Sequence, residues 1–322
     1  MTRTAMRAGS KAMTQALRTP KLSSAKKTTI KAGPSPARLA QRSSGFTAGL
    51  AGTLRYRLFK PFGVLRSERL PLIVMLHGCG QNAQTLATST RMNQIAARER
   101  FFVLYPEQDH LSNMQGCWNW YQTRSGKAQQ EADAISAAID QVCLAQAVDP
   151  KRIAVAGLSA GAGMAALLAT RYPKRFRAIA MHSGIAPGVA HSSATALTAM
   201  RGHKAGVPLA PLADGAHLPA LLVIQGNADH IVAPSNGVEA ARLWAAREGA
   251  KLRPPRTVQR GARYPSIITD YRAQDRLVAT LCVISGLGHA WSGGAASQAY
   301  SDPKGPDASR MIWAFVAKQF AN

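Results

Sequence analysis

The residues in this sequence best suited to chemistry begin with a serine among small neighbours, Gly157-Leu158-Ser159-Ala160-Gly161, between the apolar run RIAVA (152–156) and a helix-forming stretch. A serine hydroxyl is a weak nucleophile at neutral pH; it needs a base to take its proton and an acid to orient that base. Where a strand turns sharply into a helix, small flanking residues let the hydroxyl rise off the sheet, and the partners follow in the order serine, acid, histidine. The bland reading of the same pentapeptide is a turn that merely packs a helix on a sheet.

The acid is expected at Asp229, in Gly226-Asn227-Ala228-Asp229-His230, just past the apolar run ALLVI (220–224). Asp214, Glu239, Glu248, Asp270 and Asp275 also lie between the serine and the last histidine, and none so clearly follows a buried strand. The alternative for Asp229 is a loop or helix-capping role. The base is expected at His289, in Gly286-Leu287-Gly288-His289-Ala290-Trp291, where glycines let a loop carry the imidazole back over the sheet edge. His230 is its rival, next to the acid; His110, His191, His203 and His217 lie in polar loops. Stabilising the oxyanion of an acyl transfer takes two N–H donors, one following the nucleophile and one from the loop after an earlier strand. Ala160 is placed to give the first, and Cys79, in Leu76-His77-Gly78-Cys79-Gly80-Gln81, the second. His77 reads as a structural prop.

These groups need a scaffold whose strand ends converge. Leu70–Leu76, Phe101–Tyr105, Arg152–Ala156, Ala178–His182, Ala220–Ile224 and Leu277–Ile284 are continuous apolar runs, the pattern of strands covered on both faces. Thr53–Phe59 alternates like an exposed or edge strand. Helix-like stretches lie between them at Ala87–Arg100, Gln129–Ala147, Ala160–Arg171, Asn236–Glu248 and Asp307–Lys318. Alternating strand and helix predicts an α/β fold, with a mostly parallel central sheet and helices on both faces. Residues 185–218 break the rhythm and read as a loop or cap insertion over the site.

Composition narrows the function further. The 322 residues carry 40 Lys+Arg against 16 Asp+Glu, a formal charge of +24. Residues 1–60 hold 13 basic side chains, and the first carboxylate is Glu68. Residues 1–45, built of Ala, Ser, Thr, Lys, Arg and Pro, read as a mobile basic tail that either meets an anionic surface, lipid, granule coat or nucleic acid, or is simply solvated. Residues 46–322 suit one catalytic domain, which would bury about 75% of its unfolded surface. No run approaches the roughly 20 apolar residues of a membrane-spanning helix, and the N-terminus lacks the apolar core of a secretory signal, which on its own favours the cytoplasm. The cysteines at 79, 117, 143 and 282 match no metal or redox spacing, so no structural zinc or other metal is expected.

Taken together, LHGCGQ (76–81), GCWNWY (116–121), DPKRIAVAGLSAGAGMAALLA (149–169), QGNADHIV (225–232), GLGHAWSGG (286–294) and SDPKGPDASRMIWAFV (301–316) resemble the polyhydroxybutyrate depolymerase family of α/β-hydrolase esterases, whose relatives include feruloyl and acetylxylan esterases. The resemblance runs from about Phe46 to the C-terminus. It implies an α/β-hydrolase fold and cofactor-free ester hydrolysis through an acyl-enzyme, with Ser159, Asp229 and His289 in the triad positions. It also implies a Cys79–Cys117 disulfide tying the oxyanion loop to the tryptophan loop, and export of the protein. The sequence departs from exported polymer depolymerases in showing no signal peptide and no appended substrate-binding domain, which favours short-chain, amorphous or soluble esters.

Trp118, Trp120 and Trp291 flank the expected site loops. An aromatic wall there would hold an acyl chain or polyester methyl groups. Core packing is an equal reading for Trp118 and Trp120, while Trp291, two residues past the histidine, is the stronger candidate. Three functions therefore stand open: a depolymerase-type esterase acting on 3-hydroxybutyrate or similar short-chain esters, a feruloyl or acetylxylan esterase, and a granule- or nucleic-acid-binding protein acting through the basic tail.

Overall fold

The computed structural model describes residues 45–65, 67–186, 188–203, 209 and 216–321. The expected basic tail, apart from its last residue, and the middle of the 185–218 stretch lie outside the described residues. The rest is built on an eleven-stranded sheet. Its strands are β1 (Gly45–Ala51), β2 (Leu54–Lys60), β3 (Leu70–Leu76), β4 (Phe102–Glu107), β5 (Val148–Leu158), β6 (Ala178–His182), β7 (Ala220–Gly226), β8 (Lys251–Leu252), β9 (Arg256–Val258), β10 (Ser266–Ala273) and β11 (Arg276–Ile284). They lie in the order β1-β2-β4-β3-β5-β6-β7-β11-β10-β8, and β9 also pairs with β10. The stretch from β4 to β11 is parallel throughout, while β1, β2, β10, β8 and β9 add antiparallel margins.

The continuous apolar runs have a direct structural cause. Leu72, Val74 and Leu76 of β3 enter one hydrophobic cluster, whereas Ile73 and Met75 enter the other, and β5 divides in the same way. Because side chains alternate faces, a strand with helices on both sides must be apolar at every position. One face is covered by α3 (Lys127–Ala145), α4 (Ala160–Arg171) and α6 (Ser235–Arg247), and the other by α1 (Ala83–Thr90), α2 (Met92–Glu99) and α7 (Ala308–Ala321).

Three expectations need correction. The strand beginning near Thr53 is not at the edge, because β1 pairs along its whole length; the glycine-rich GFTAGLA of β1 carries too weak a strand signal to be read as a partner. The single helix expected over Ala87–Arg100 is two helices, broken where Arg91 turns left-handed at φ 53°. Its guanidinium reaches across to the carbonyls of Gly293 and Gly294. Finally, the irregular insertion contains a helix, α5 (Ser193–Met200), started by a capping box in which the Ser192 hydroxyl accepts from Thr195 N–H. The end of α5 is tied to the segment after the acid loop, since Ala233 N–H donates to Met200 O at 2.7 Å and Asn236 Nδ2 to Ala199 O at 3.0 Å.

Candidate active site

Strand β5 ends at Leu158 and α4 starts at Ala160, leaving Ser159 alone to make the turn. It sits at φ 55° and ψ −117°, a conformation that L-residues rarely adopt and that persists only where the surroundings enforce it. The enforcement is steric. A Cβ on Gly157 would lie 2.2 Å from Gly161 O, and one on Gly161 would lie 2.2 Å from Leu76 O and 2.6 Å from His77 O. The two glycines therefore let the start of α4 press against both its own strand and the end of β3. Ser159 N–H donates to His182 O at 2.9 Å, and Ser159 O accepts from the Ala162 and Gly163 amides.

Two strands further across the sheet, Asp229 follows β7 and is buried. Its Oδ1 accepts from the Ile231 and Val232 amides at 3.0 and 2.8 Å; Oδ2 accepts from Gln225 Nε2 at 3.3 Å and from His289 Nδ1–H at 2.9 Å. Burial opposes ionisation of this carboxyl, but the His289 hydrogen bond and charge and the two amides outweigh it and hold Asp229 below the usual carboxylate range. Proton donation from Nδ1 leaves the Nε2 lone pair of His289 free to accept. The ring is nearly enclosed, and Tyr300 meets it edge-on at 6.4 Å. The loop carrying His289 is laid onto the acid loop by Ala228 N–H donating to Leu287 O at 3.1 Å. The fold thus brings the expected acid and base together from positions 60 residues apart. His230 is exposed and lies outside this pair.

The loop after β3 approaches the elbow from the other side, and a Cβ on Gly78 would stand 3.5 Å from Ser159 Cβ. The loop is held by three devices. Gln81 Oε1 accepts from Gly78 N–H at 3.0 Å, a disulfide joins Cys79 to Cys117, and His77 braces the base. His77 Nε2 accepts from Gln108 N–H at 3.1 Å, so Nδ1 carries the proton and donates to Gly78 O at 2.9 Å. Burial pushes the His77 pKa down, which keeps the ring neutral for that task. Past Cys117, the tryptophan loop is pinned by Glu131, which accepts from the Asn119 amide at 2.8 Å.

Beneath the Asp229–His289 pair lies a residue that the sequence reading passed over. His182 ends β6 fully buried; its Nε2 accepts from Ser292 N–H at 3.1 Å and its Nδ1 faces Ser183 Oγ at 3.2 Å. Burial, with a smaller contribution from His289, pushes its pKa down to about 3. The available signal was positional, since His182 closes an apolar run at the same sheet end as His77 and the elbow.

Burial overturns the acyl-contact reading of Trp291 and favours the core-packing reading that stood open for Trp118 and Trp120. Trp291 and Trp118 have no exposed surface, so neither offers a face to an acyl chain. Trp291 stacks on His182 at 5.0 Å and donates from Nε1 to Ser309 Oγ at 3.1 Å; that hydroxyl donates in turn to Thr90 O at 2.7 Å. Trp118 packs 5.4 Å from the His77 ring. Trp120 is almost covered, with its indole against Gly163 of α4 and its edge towards Tyr121. These rings pack beneath the loops that carry His77 and His289 or against α4, as supports.

A mostly parallel sheet with helices on both faces, and a strained serine elbow at its carboxyl end, make this an α/β-hydrolase fold. The chain belongs to the esterase PHB depolymerase family, whose model matches residues 54–245. That segment holds Ser159 and Asp229 and ends before His289. Over 228 residues the chain is 31% identical to poly(3-hydroxyalkanoate) depolymerase C of Paucimonas lemoignei, covering 68% of this chain and 54% of that protein. It is 28% identical over 189 residues to feruloyl esterase B of Neurospora crassa, covering 54% of this chain and 64% of the relative. The matches thus span between 54% and 64% of the length of these relatives. Among solved structures, an acetyl xylan esterase from Aspergillus awamori superposes with a TM-score of 0.61 at 18% identity, over 76% of this chain and 92% of that one, a likeness of fold.

Two outcomes follow from this geometry. Gly161→Ala should lower stability by about 3 kcal/mol or more in urea unfolding, whereas Gly288→Ala, where the nearest atom to a new Cβ is 3.9 Å away, should change it by less than about 1 kcal/mol. His182 is neutral when folded down to about pH 3, while its unfolded form protonates near 6.5. Its contribution is therefore complete above pH 6.5 and is lost as the pH falls from there towards 3. The His182→Gln variant should lose stability less steeply than the wild type between pH 6.5 and 4, by up to about 1.4 kcal/mol per pH unit. Parallel curves for the two proteins would show that His182 is not the group titrating.

Proposed function

We propose that the protein is a serine carboxylic-ester hydrolase acting on 3-hydroxybutyrate or similar short-chain esters through an acyl-enzyme. The observation that carries this reading is the buried 2.9 Å bond from His289 Nδ1–H to Asp229, at the same end of the sheet as the elbow that holds Ser159 at φ 55°. In the proposed reaction His289 Nε2 removes the Ser159 proton as Oγ attacks the ester carbonyl, and Asp229 holds the tautomer and stabilises the imidazolium that forms. The amides of Ala160, at the N-terminus of α4, and Cys79 donate to the developing oxyanion. His289 then returns the proton to the departing alcohol, and a water deprotonated by the same ring releases the acid.

Feruloyl or acetylxylan ester hydrolysis is the second reading, favoured by the likeness to feruloyl esterase B; the same machinery would serve, and the acyl pocket would decide. For residues 1–45, the 10 Lys and Arg before residue 45, unaccompanied by any acid, support contact with an anionic surface rather than a part in the chemistry.

Ser159→Ala should reduce p-nitrophenyl butyrate kcat on the order of 10⁴-fold or more with an unchanged circular dichroism spectrum, and Asp229→Asn by about 10⁴-fold. Turnover within tenfold of wild type in either variant would remove the triad. A comparison of kcat/KM on 3-hydroxybutyrate trimer, methyl ferulate and acetylated xylan separates the two substrate readings. Reduction of Cys79–Cys117 should lower unfolding stability by about 3 to 4 kcal/mol. It should also lower kcat more than it raises KM, because the Cys79 amide is proposed to act on the transition state.

A further inference from the structure

A cleft of about 630 Å³ opens between α2, the β9–β10 segment and α7, and none of Ser159, Asp229 and His289 lines it. Five arginines converge on it: Arg91, Arg98, Arg260, Arg263 and Arg310. Among the described residues, two carboxylates pair with them. Arg98 pairs with Glu99 at 2.7 Å, and Arg310 with Asp307 at 3.4 Å. Arg91 donates to the carbonyls of Gly293 and Gly294, and Arg263 to those of Pro303 and Gly305, so these two guanidiniums are oriented without being neutralised. Among the described residues, Arg260 has no carboxylate partner. Like charges gathered in a concave site raise the local potential and favour an anion entering it. The floor differs in character: Tyr264, Ile268 and Met311 line it with half-buried apolar surface.

We propose that this cleft binds an organic anion, with a carboxylate or phosphate head held by the guanidinium groups and an apolar body laid on Tyr264, Ile268 and Met311. Guanidinium forks match both heads in a two-bond geometry that a lysine patch does not provide. The volume suits a small organic molecule. The floor selects against inorganic anions, which would leave it wet. The inference does not depend on the catalytic reading, because the cleft shares no lining residue with the proposed triad.

The test is calorimetric titration of the full chain at low salt with octanoate and octyl phosphate, with inorganic phosphate as the head alone and 1-octanol as the body alone. One site per chain should bind at least one of the two amphiphilic anions about tenfold or more tighter than either half. Arg260→Glu should weaken that binding by about tenfold or more, and Arg98→Gln by less, while p-nitrophenyl butyrate turnover stays within about twofold in both. A stronger response to octanoate than to octyl phosphate identifies a carboxylate site, and the reverse a phosphate site. Absence of saturable binding, equal affinity for inorganic phosphate, or undiminished binding in Arg260→Glu would overturn the proposal. So would binding that is purely competitive with the ester.

Discussion

Around Ser159 there are two places with no room for a single side-chain carbon, and the arrangement of the site depends on them. Because positions 157 and 161 are glycines, the first turn of α4 can sit against its own strand and against the carbonyls of Leu76 and His77. That approach leaves Ser159 in a strained positive-φ conformation between the two elements. It also brings the N-terminus of α4 and the loop after β3 to the same point, where a helix end presents unpaired N–H groups. A larger residue at either glycine would separate the serine from the loop proposed to serve it.

The electrostatics of the neighbouring loops follow from burial on that side of the sheet. Asp229 stays ionised in a buried position because two backbone amides, Gln225 and His289 all donate to it. Under the pair, His182 is kept neutral by its surroundings and serves as a fixed hydrogen-bonding block between β6 and Ser292. Trp291 stacked on that ring, with the Ser309 and Thr90 relay behind it, connects the histidine loop to α7 and to the α1–α2 junction. Arg91 reaches the same loop from that junction through Gly293 and Gly294. The loop bearing His289 is therefore held from beneath and from behind, which fits the proton-exchanging role proposed for it.

Much of this was legible in the sequence where the residue pattern reports directly on burial. Six continuous apolar runs mark the six parallel strands, since both faces of each are covered. The elbow was legible because its steric demands leave few residue types possible. Of the antiparallel margins only β2 was legible, as the alternating Thr53–Phe59: β1 is glycine-rich, and β10 mixes Thr, Asp and Arg into a half-exposed face. The break at Arg91 was hidden because no glycine or proline marks the left-handed turn, and the carbonyls its guanidinium reaches lie some 200 residues away in sequence. Trp291 was favoured as an acyl contact because position along a loop does not tell which side of it faces solvent, whereas for Trp118 core packing had stood as an equal reading. His182 was overlooked because a histidine closing an apolar run looks like part of the strand.

Membership of the esterase PHB depolymerase family fixes the kind of scaffold, while the chemistry proposed for it rests on the groups placed around Ser159. The most direct measurement of the central claim is rapid-quench mass spectrometry of the protein mixed with p-nitrophenyl butyrate, with p-nitrophenol release followed in parallel. The account predicts a burst approaching one p-nitrophenol per chain and a butyryl group on the peptide containing Ser159. Steady turnover without an acylated peptide, or a butyryl group on a different side chain, would contradict it.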